Sequence, residues 1–226
     1  MAPLLKICGL KDAVQAEAVA RLGVDAVGVI GVPASPRFVA PDGRPPLFAA
    51  VAGARADCLR VLVVADPADS ELTALQPTVG GHNVVQLHGS ESVQRCLDLR
   101  RELPEGLQLW KALRIRSAQD LEQAFAYATV VDALLLDAWV SDQLGGTGQR
   151  LPLAWLDGFS SPRPWWLAGG ITAGAVESIR SSILPSGLDV SSGVEISPGQ
   201  KDLDRVAALL EAVRQGPWIP TPPMGS

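Results

Sequence analysis

Short apolar runs alternate with segments of helical periodicity along nearly the whole chain. The first apolar run, residues 4–8, predicts a buried strand. In the segment after it, Val14, Ala18 and Leu22 recur at the spacing of one helical face. The same alternation continues to residue 215. The predicted strands span residues 4–8, 26–30, 60–64, 84–87, 109–113, 133–137, 165–168 and 187–190.

A helical segment is predicted after each of these strands. The predicted helices span residues 12–22, 47–56, 69–75, 90–102, 117–129, 153–159, 172–183 and 202–215, with the weakest periodicity in the third and sixth. Eight units of this size favour an α/β, single-domain (β/α)₈ TIM barrel over residues 1–215 rather than an open sheet. Beyond Gln215 the periodicity ends in a proline-rich run, so residues 216–226 are predicted to form a poorly ordered carboxy-terminal tail.

Composition narrows the possible partners and the compartment. A net charge of -5 argues against a general nucleic-acid or anionic-membrane binder, although local backbone dipoles can still bind a phosphorylated metabolite. No signal-like segment follows Met1, and the most apolar run, residues 128–140, is too short for a bilayer and contains two aspartates. The three cysteines are widely spaced and odd in number, which favours a reducing compartment. We therefore expect a soluble cytoplasmic protein, without nucleic-acid or membrane partners.

Two strand ends carry candidate acid–base groups. Cys8 ends the first strand and precedes Gly9, which would place its thiol at the mouth of a barrel. Most free cysteines are simply buried apolar residues, and this interpretation suits Cys58 and Cys96. Asp137 ends the sixth strand, where an aspartate is either a loop cap or a general acid. Position at the strand end favours function for Cys8, whereas Asp137 alone is a weak signal.

Three glycine-bearing segments indicate a phosphate site. Glycine lets backbone N–H groups approach an anion closely, and barrels often bind phosphate in the loops after strands seven and eight. The segments are residues 145–148, Gly169-Gly170 before a possible N-cap at Thr172, and Ser191-Ser192-Gly193. Each could be an ordinary turn, but two of them fall at the expected loops.

Polar residues in two other places are further candidates. Arg37, in the loop after the second strand, is either solvated or a bidentate clamp for a substrate carboxylate. Gln86 and His88 alternate on the fourth strand and could both face inward, as wall groups rather than catalysts. The two histidines lack acidic or cysteine companions, so no metal site is expected.

Taken together, these residues resemble the phosphoribosylanthranilate isomerase family of tryptophan biosynthesis. The resemblance covers nearly the whole chain up to about Gln215. Its markers are Lys6-Ile7-Cys8-Gly9-Leu10, Asp189-Val190-Ser191-Ser192-Gly193-Val194-Glu195, and residues 25–28, 35–39, 85–89, 135–137, 145–148, 168–171 and 198–202. The family usually has larger, often aromatic residues where this chain has Ile30-Gly31-Val32, and a small hydroxyl residue in place of Lys11.

The resemblance implies an intramolecular aldose–ketose isomerase. Its reaction would be the Amadori rearrangement of N-(5-phosphoribosyl)anthranilate to 1-(2-carboxyphenylamino)-1-deoxyribulose 5-phosphate, without a cofactor or metal. Asp137 matches the family's general acid and Cys8 its general base. Arg37, Gln86, His88 and Asp189 match substrate-binding positions, and Gly169, Gly170, Ser192 and Gly193 match the phosphate loops. The chain would act as a monomer or a homodimer.

Other phosphate-binding barrels are the alternatives. The histidine-pathway aminoaldose isomerase performs the same rearrangement with two aspartates, so Cys8 favours the anthranilate substrate. Indole-glycerol-phosphate synthase needs a lysine acid, for which Lys111 is a candidate without an evident carboxylate partner. Metal-dependent sugar-phosphate epimerases need histidine ligands that the sequence lacks. A non-catalytic barrel would keep the glycines, but it would not need Cys8, Asp137 and Arg37 together.

Overall fold

Eight parallel strands form a closed barrel in which each strand pairs with the next along the chain and the eighth returns to the first. The computed structural model describes residues 2–138 and 151–218. The barrel strands are β1 (Leu4–Cys8), β2 (Ala26–Ile30), β3 (Leu59–Val64), β4 (Val84–Leu87), β5 (Gln108–Ile115), β6 (Ala133–Ala138), β7 (Trp165–Ala168) and β8 (Gly187–Val190). Each predicted strand lies within an observed one, so the predicted (β/α)₈ barrel is confirmed.

The helical layer is less regular than the strands. Its α-helices are α1 (Ala13–Arg21), α2 (Arg44–Ala54), α3 (Pro77–Gly80), α4 (Val93–Glu102), α5 (Gln123–Tyr127), α6 (Val176–Arg180) and α7 (Leu203–Arg214). The α-helices predicted for residues 69–75 and 153–159 are wrong, because 3₁₀ turns form at Asp69–Leu75 and Leu153–Leu156. Pro77 follows the first turn, and Gly158 adopts a left-handed φ of 67° after the second. The first segment ends before Pro77 and the second before Gly158, so each is too short for a stable α-helix.

Strand alternation divides the buried residues between two sides of the barrel wall. Leu5 and Ile7 face the helices, whereas Cys8 belongs to the apolar cluster inside the barrel. Near the strand starts this interior is closed by the rings of Trp110 and Trp166, whose centroids lie 4.9 Å apart. Because tryptophans fill the amino-terminal end, the open end of the barrel lies at the carboxyl ends of the strands.

A β-hairpin that the sequence pattern did not predict follows the eighth strand. It consists of β9 (Glu195–Ser197) and β10 (Gln200–Lys201), which pair antiparallel. Gly199 closes the turn with a φ of 85°, a conformation that glycine adopts without strain. β9 and β10 pair at only two positions, so they are too short to show an alternating apolar–polar pattern in the sequence. The hairpin brings Glu195 and Lys201 back towards the mouth of the barrel.

The last described residues lie against the barrel. Trp218 is buried, its Nε1 donates to the Val213 carbonyl at 2.9 Å, and the Arg180 guanidinium lies 5.8 Å from its ring. The polypeptide therefore stays in contact with α7 and α6 at least to this tryptophan. The division into a barrel over 1–215 and a tail over 216–226 stays a prediction, with residues 219–226 outside the described part.

Candidate active site

A pocket opens at the carboxyl ends of the strands and spans about 740 Å³, including space that is open to solvent. All ten predicted site residues line it: Cys8, Arg37, Gln86, His88, Asp137, Gly169, Gly170, Asp189, Ser192 and Gly193. The glycine-rich segment 145–148, also predicted to contact phosphate, lies outside the described residues.

Cys8 and Asp137 enter this pocket from well-separated strands. β1 and β6 are separated by β7 and β8 on one side of the barrel and by four strands on the other. Both residues are the inward-facing ends of apolar strands, and each side chain is almost fully buried. A thiol and a carboxyl group therefore face the pocket from different sides.

Gly28 makes room for the thiol. It pairs with Cys8 across β1 and β2, and a Cβ at Gly28 would lie only 2.7 Å from the Cys8 sulfur. Burial raises the pKa of the Cys8 thiol above its ordinary value, and the positive charges of Lys6 and Lys201 act against this rise. The protonated form of the thiol is therefore favoured.

A buried ion pair lies below the thiol. The Lys6 Nζ donates to the Asp189 Oδ1 at 2.8 Å and to the Gln86 Oε1 at 3.0 Å. Burial acts to lower the pKa of Lys6, but Asp189 and Cys8 outweigh it and the pKa lies above its ordinary value. Lys6 is therefore an ammonium within the barrel, and Asp189 has its Oδ1 committed to that charge.

The polar contacts continue from the fourth strand to the sixth. The Gln86 Nε2 lies 3.1 Å from the His88 Nδ1, and the His88 Nε2 lies 3.4 Å from the Asp137 Oδ2. These contacts extend the hydrogen bond between Lys6 and Gln86 to the carboxyl group. The candidate acid is thus connected to the ammonium below Cys8 through two intervening side chains.

Arg37 lies in the loop after β2 and is held by Glu195 of the hairpin. Its Nε donates to Glu195 Oε1 at 2.9 Å and its Nη2 to Oε2 at 2.6 Å. The Lys201 Nζ donates to the same Oε1 at 2.6 Å. Glu195 therefore occupies the Nε–Nη2 edge of the guanidinium. The remaining Nη1–Nη2 edge can still bind a carboxylate through two parallel hydrogen bonds.

The loops after β7 and β8 approach each other very closely. Gly169 and Gly170 have φ values of 91° and 59°, which a larger residue would adopt only with strain. A Cβ at Gly193 would lie 1.9 Å from the Ile171 carbonyl oxygen. Thr172 occupies the predicted N-cap position, but its side chain accepts no capping hydrogen bond. The helical segments that begin here are short 3₁₀ turns, so backbone N–H groups rather than a long helix dipole would meet an anion.

Comparison with known proteins identifies the family. The family model described as N-(5'phosphoribosyl)anthranilate (PRA) isomerase matches residues 5–212. The chain belongs to the phosphoribosylanthranilate isomerase family. The resemblance seen in the sequence motifs is thereby confirmed.

Individual members of the family agree with this assignment. The N-(5'-phosphoribosyl)anthranilate isomerase of Trichormus variabilis is 44% identical over 92% of this chain and 96% of its own length. The crystal structure of phosphoribosylanthranilate isomerase from Thermotoga maritima has a TM-score of 0.82 and 25% identity, covering 94% of this chain and 98% of that one. Another structure holds reduced 1-(o-carboxyphenylamino)-1-deoxyribulose 5-phosphate, with a TM-score of 0.76 and 27% identity over 94% of this chain and 98% of the other.

The candidate lysine of the synthase alternative does not reach the pocket. Lys111 lies between Trp110 and Ala112, which face the barrel interior, and so points to the outer layer. Its Nζ donates to Glu91 Oε2 at 2.8 Å and to the Gly89 carbonyl at 2.9 Å. Lys111 and Glu91 thus form a buried ion pair outside the pocket, and the pair stabilises the loop after β4.

Sequence reasoning assigned no role to Lys6, Glu195 or Lys201. One feature of the sequence could have indicated a role for Lys6: it lies two residues before Cys8 in an otherwise apolar strand, so both side chains face inward. Glu195 and Lys201 belong to the family's marker segments, but their partnership with Arg37 depends on the hairpin. Each of the three is paired with an opposite charge: Lys6 with Asp189, and Glu195 with Arg37 and Lys201.

The segment that departs from the usual family pattern forms an apolar wall of the pocket. Ile30 and Val32 line the cavity, and a Cβ at Gly31 would lie 2.9 Å from the Arg44 Nη2. Gly31 thus accommodates the buried guanidinium of Arg44, whose Nε donates to the Val39 carbonyl at 3.1 Å.

Within the described residues, no helix has the length and apolar character needed to cross a membrane.

Proposed function

We propose that this chain converts N-(5'-phosphoribosyl)anthranilate into 1-(2-carboxyphenylamino)-1-deoxyribulose 5-phosphate in tryptophan biosynthesis, with Asp137 as general acid and Cys8 as general base. One observation carries the assignment of roles. A carboxyl group at the end of β6 and a thiol at the end of β1 line one pocket, together with the glycine loops after β7 and β8. The membership of the family supplies the reaction.

Asp137 begins the reaction by donating a proton to the furanose ring oxygen. The bond between this oxygen and C1′ breaks, and the anthranilate nitrogen supplies the electron pair that forms an iminium. The apolar residues preceding Asp137 on β6 exclude water on one side of the carboxyl group. The acid thereby lies near the leaving oxygen while solvent is kept away.

Cys8 then removes the C2′ proton. The electron pair of the C–H bond forms the C1′–C2′ double bond of an enolamine, and the iminium nitrogen is neutralised. Tautomerisation moves a proton from the C2′ hydroxyl to C1′ and gives the ketone. Lys6 and Lys201 act against the burial that raises the pKa of the thiol, so they favour the thiolate needed here.

The substrate's two anionic ends are held by different parts of the pocket. The free edge of Arg37 binds the anthranilate carboxylate, and the backbone of Gly169, Gly170, Ser192 and Gly193 binds the phosphate. Asp189 accepts from a ribose hydroxyl through the oxygen that Lys6 leaves free. Gln86 and His88 form the wall between these ends. No cofactor or metal is required, since every step transfers a proton within the substrate or to these residues.

A turnover assay tests the two roles. The purified protein is mixed with freshly made phosphoribosylanthranilate, and the loss of anthranilate fluorescence is followed. Cys8→Ser and Asp137→Asn should each lower kcat by about 10² to 10⁴-fold while the affinity for the product changes little. Asp157→Asn, an exposed site outside the pocket, is the matched control and should retain turnover. Unchanged turnover in both pocket variants would contradict the assignment.

The compartment and assembly are part of the same proposal. All three cysteines are free thiols, and Cys8 must stay reduced to act as a base, which favours the cytoplasm. The partner is a phosphorylated small molecule rather than nucleic acid or a membrane. The oligomeric state, monomer or homodimer, stays a prediction.

A further inference from the structure

Gln86 links Lys6 to His88 through two hydrogen bonds, and the donor and the acceptor of each can be assigned in only one way. An ammonium group has donors and no acceptor, so the atom of Gln86 that faces Lys6 Nζ at 3.0 Å must be the carbonyl oxygen. The amide nitrogen of Gln86 is therefore turned towards His88, where it lies 3.1 Å from Nδ1. Because an amide NH₂ is a donor, Nδ1 of His88 must be the acceptor.

This direction determines where His88 carries its proton. A neutral imidazole has one acceptor and one donor nitrogen, so an accepting Nδ1 places the proton on Nε2. Nε2 is buried and lies 3.4 Å from the Asp137 Oδ2. Nε2 makes no hydrogen bond to any described residue, so this contact with Asp137 is a proximity and not yet a hydrogen bond. Catalytic hydrogen bonds are often long before substrate binds and shorten afterwards.

We propose that Lys6 and Gln86 are positioning residues that lock His88 in the Nε2–H tautomer, so that its N–H group faces the general acid Asp137. The catalytic consequence rests on the proposed function, but the tautomer does not. Lys6 fixes the orientation of the Gln86 amide, and the amide NH₂ group then requires that Nδ1 of His88 be an acceptor. The lock joins residues from β1, β4 and β6 beneath one substrate.

The tautomer matters because the other one would compete for the acid's proton. With Nε2–H towards Oδ2, His88 donates to the carboxyl group, and the acidic proton remains on Oδ1 for the substrate. After the transfer, the same N–H group stabilises the carboxylate that has formed. With the opposite tautomer, a lone pair on Nε2 would accept the proton of Asp137 and hold it away from the ring oxygen.

The same lysine is a neighbour of the base. A Cβ at Gly28 would lie 2.7 Å from the Cys8 sulfur and 3.1 Å from Lys6 Cε, so both side chains occupy the space beside this glycine. The ammonium that orients Gln86 therefore also acts to lower the pKa of Cys8. One buried charge affects both the acid and the base, although they lie on different sides of the pocket.

Nitrogen NMR can read the tautomer directly, because the chain has only two histidines. The protein is labelled with ¹⁵N-histidine, carries no histidine tag and is measured without substrate. His82 is an internal reference, since its Nε2 lies 2.9 Å from the Leu75 carbonyl and must donate to it. We expect His88 to show a protonated Nε2 and an unprotonated, hydrogen-bonded Nδ1. A protonated Nδ1 in the unaltered protein overturns the proposal.

Gln86→Glu is the sharpest variant because it replaces one NH₂ group by an oxygen. The carboxylate can still accept from Lys6, but it now accepts from His88 as well, so Nδ1 should become protonated. We expect kcat to fall by about tenfold or more with little change in KM. Gln86→Met, which can neither donate nor accept strongly, should give a mixture of tautomers and provides a second test if the charged variant folds poorly.

Lys11→Met controls for loss of a lysine charge near the barrel mouth. Lys11 donates to the Pro36 carbonyl and has no contact with Gln86, so the His88 signals should stay unchanged. Lys6→Met should instead free the amide to rotate and broaden or divide the His88 signals. Unchanged His88 signals in both Gln86 variants would overturn the lock. If the locked tautomer is found but the unaltered protein does not turn over the substrate, the proposed function fails and the lock stands.

Discussion

Glu195 holds the guanidinium of Arg37 in a fixed plane through hydrogen bonds of 2.9 and 2.6 Å. The two residues come from the loop after β2 and from the hairpin after β8, on either side of β1. Lys201 shares the same carboxylate, so the three buried side chains together keep one positive charge. Gly9 completes the arrangement, since a Cβ there would lie 2.5 Å from Arg37 Cδ. The anthranilate carboxylate would therefore meet a rigid guanidinium edge rather than a mobile one.

Glu195→Gln should weaken substrate binding more than it slows the chemical step. The amide has one oxygen for the four nitrogens that donate to the Glu195 carboxylate, so Arg37 loses its fixed plane. We expect KM to rise by about tenfold, the equivalent of about 1.4 kcal/mol, and kcat to change much less. Steady-state kinetics measure both constants. Glu177→Gln, at an exposed glutamate paired with Arg180, should leave both unchanged; an equal effect in the two variants would contradict the role of Glu195.

The same carboxylate should make folding stability depend on pH in the acid range. Burial acts to raise the pKa of Glu195, but Arg37 and Lys201 outweigh it and lower the pKa from 4.5 to about 2. Because the folded-state pKa is depressed, this contribution of about 3 kcal/mol is complete above about pH 4.5 and is lost as the pH falls through 2. Urea unfolding at several pH values measures it. The stability gap between the unaltered protein and Glu195→Gln should stay constant above pH 4.5 and narrow below it. A constant gap down to pH 2 would show that Glu195 is not the group concerned.

Gly28→Ala should displace the base without removing it. The new methyl group would meet the Cys8 sulfur at 2.7 Å and the Cys8 Cα at 3.1 Å, so the thiol must move. A shift of about 1 Å can cost about 10²-fold in rate, and we expect kcat to fall by about tenfold to a hundredfold. Product affinity, measured by calorimetry, should change little. Gly53→Ala, on the exposed side of α2 with open space around it, is the control and should leave kcat unaffected. A Gly28 variant with normal kcat would show that the exact place of the sulfur is unimportant.

Alkylation should distinguish Cys8 from the other two cysteines. Cys58 and Cys96 are fully buried, and burial raises the pKa of each to about 11. Cys8 lines the open pocket, so iodoacetamide should modify it alone in the folded protein, detected by mass spectrometry of peptides. Since burial also raises the pKa of Cys8, the rate should still be rising as the pH passes 9. Bound product should slow the reaction. Modification of Cys58 at the same rate would contradict this account.

The sequence could predict the barrel because its strands are local, continuous and apolar. Residues 133–137, for example, form an apolar run ended by Asp137, and such a run between turns has few other solutions. The placement of chemistry at strand ends followed from the same pattern, since parallel strands present their carboxyl ends together. For this reason the sequence alone predicts that Cys8, Asp137, Gly169 and Gly170 lie at the same end of the barrel.

The contacts between these residues could not be predicted in the same way. The pair of Arg37 and Glu195 joins positions 158 residues apart and depends on a hairpin too short to give a pattern. The ion pair of Lys6 and Asp189 joins positions 183 residues apart and requires that the barrel close between β1 and β8. The predictions of α-helices at residues 69–75 and 153–159 were wrong for a related reason. In a short segment, contacts with the surrounding structure outweigh the helix propensity of the residues. Long-range pairing, rather than local preference, arranges the site.

The tilted rings of Trp110 and Trp166 have a consequence outside catalysis. They come from non-neighbouring strands, with centroids 4.9 Å apart and planes at 33°. Two indoles at that spacing exchange excitation energy, so their ultraviolet absorption acquires a paired circular-dichroism band that isolated rings do not show. This band requires that β5 and β7 hold the two rings together inside the barrel. It would therefore report the curvature of the sheet from β5 to β7 without any ligand or label.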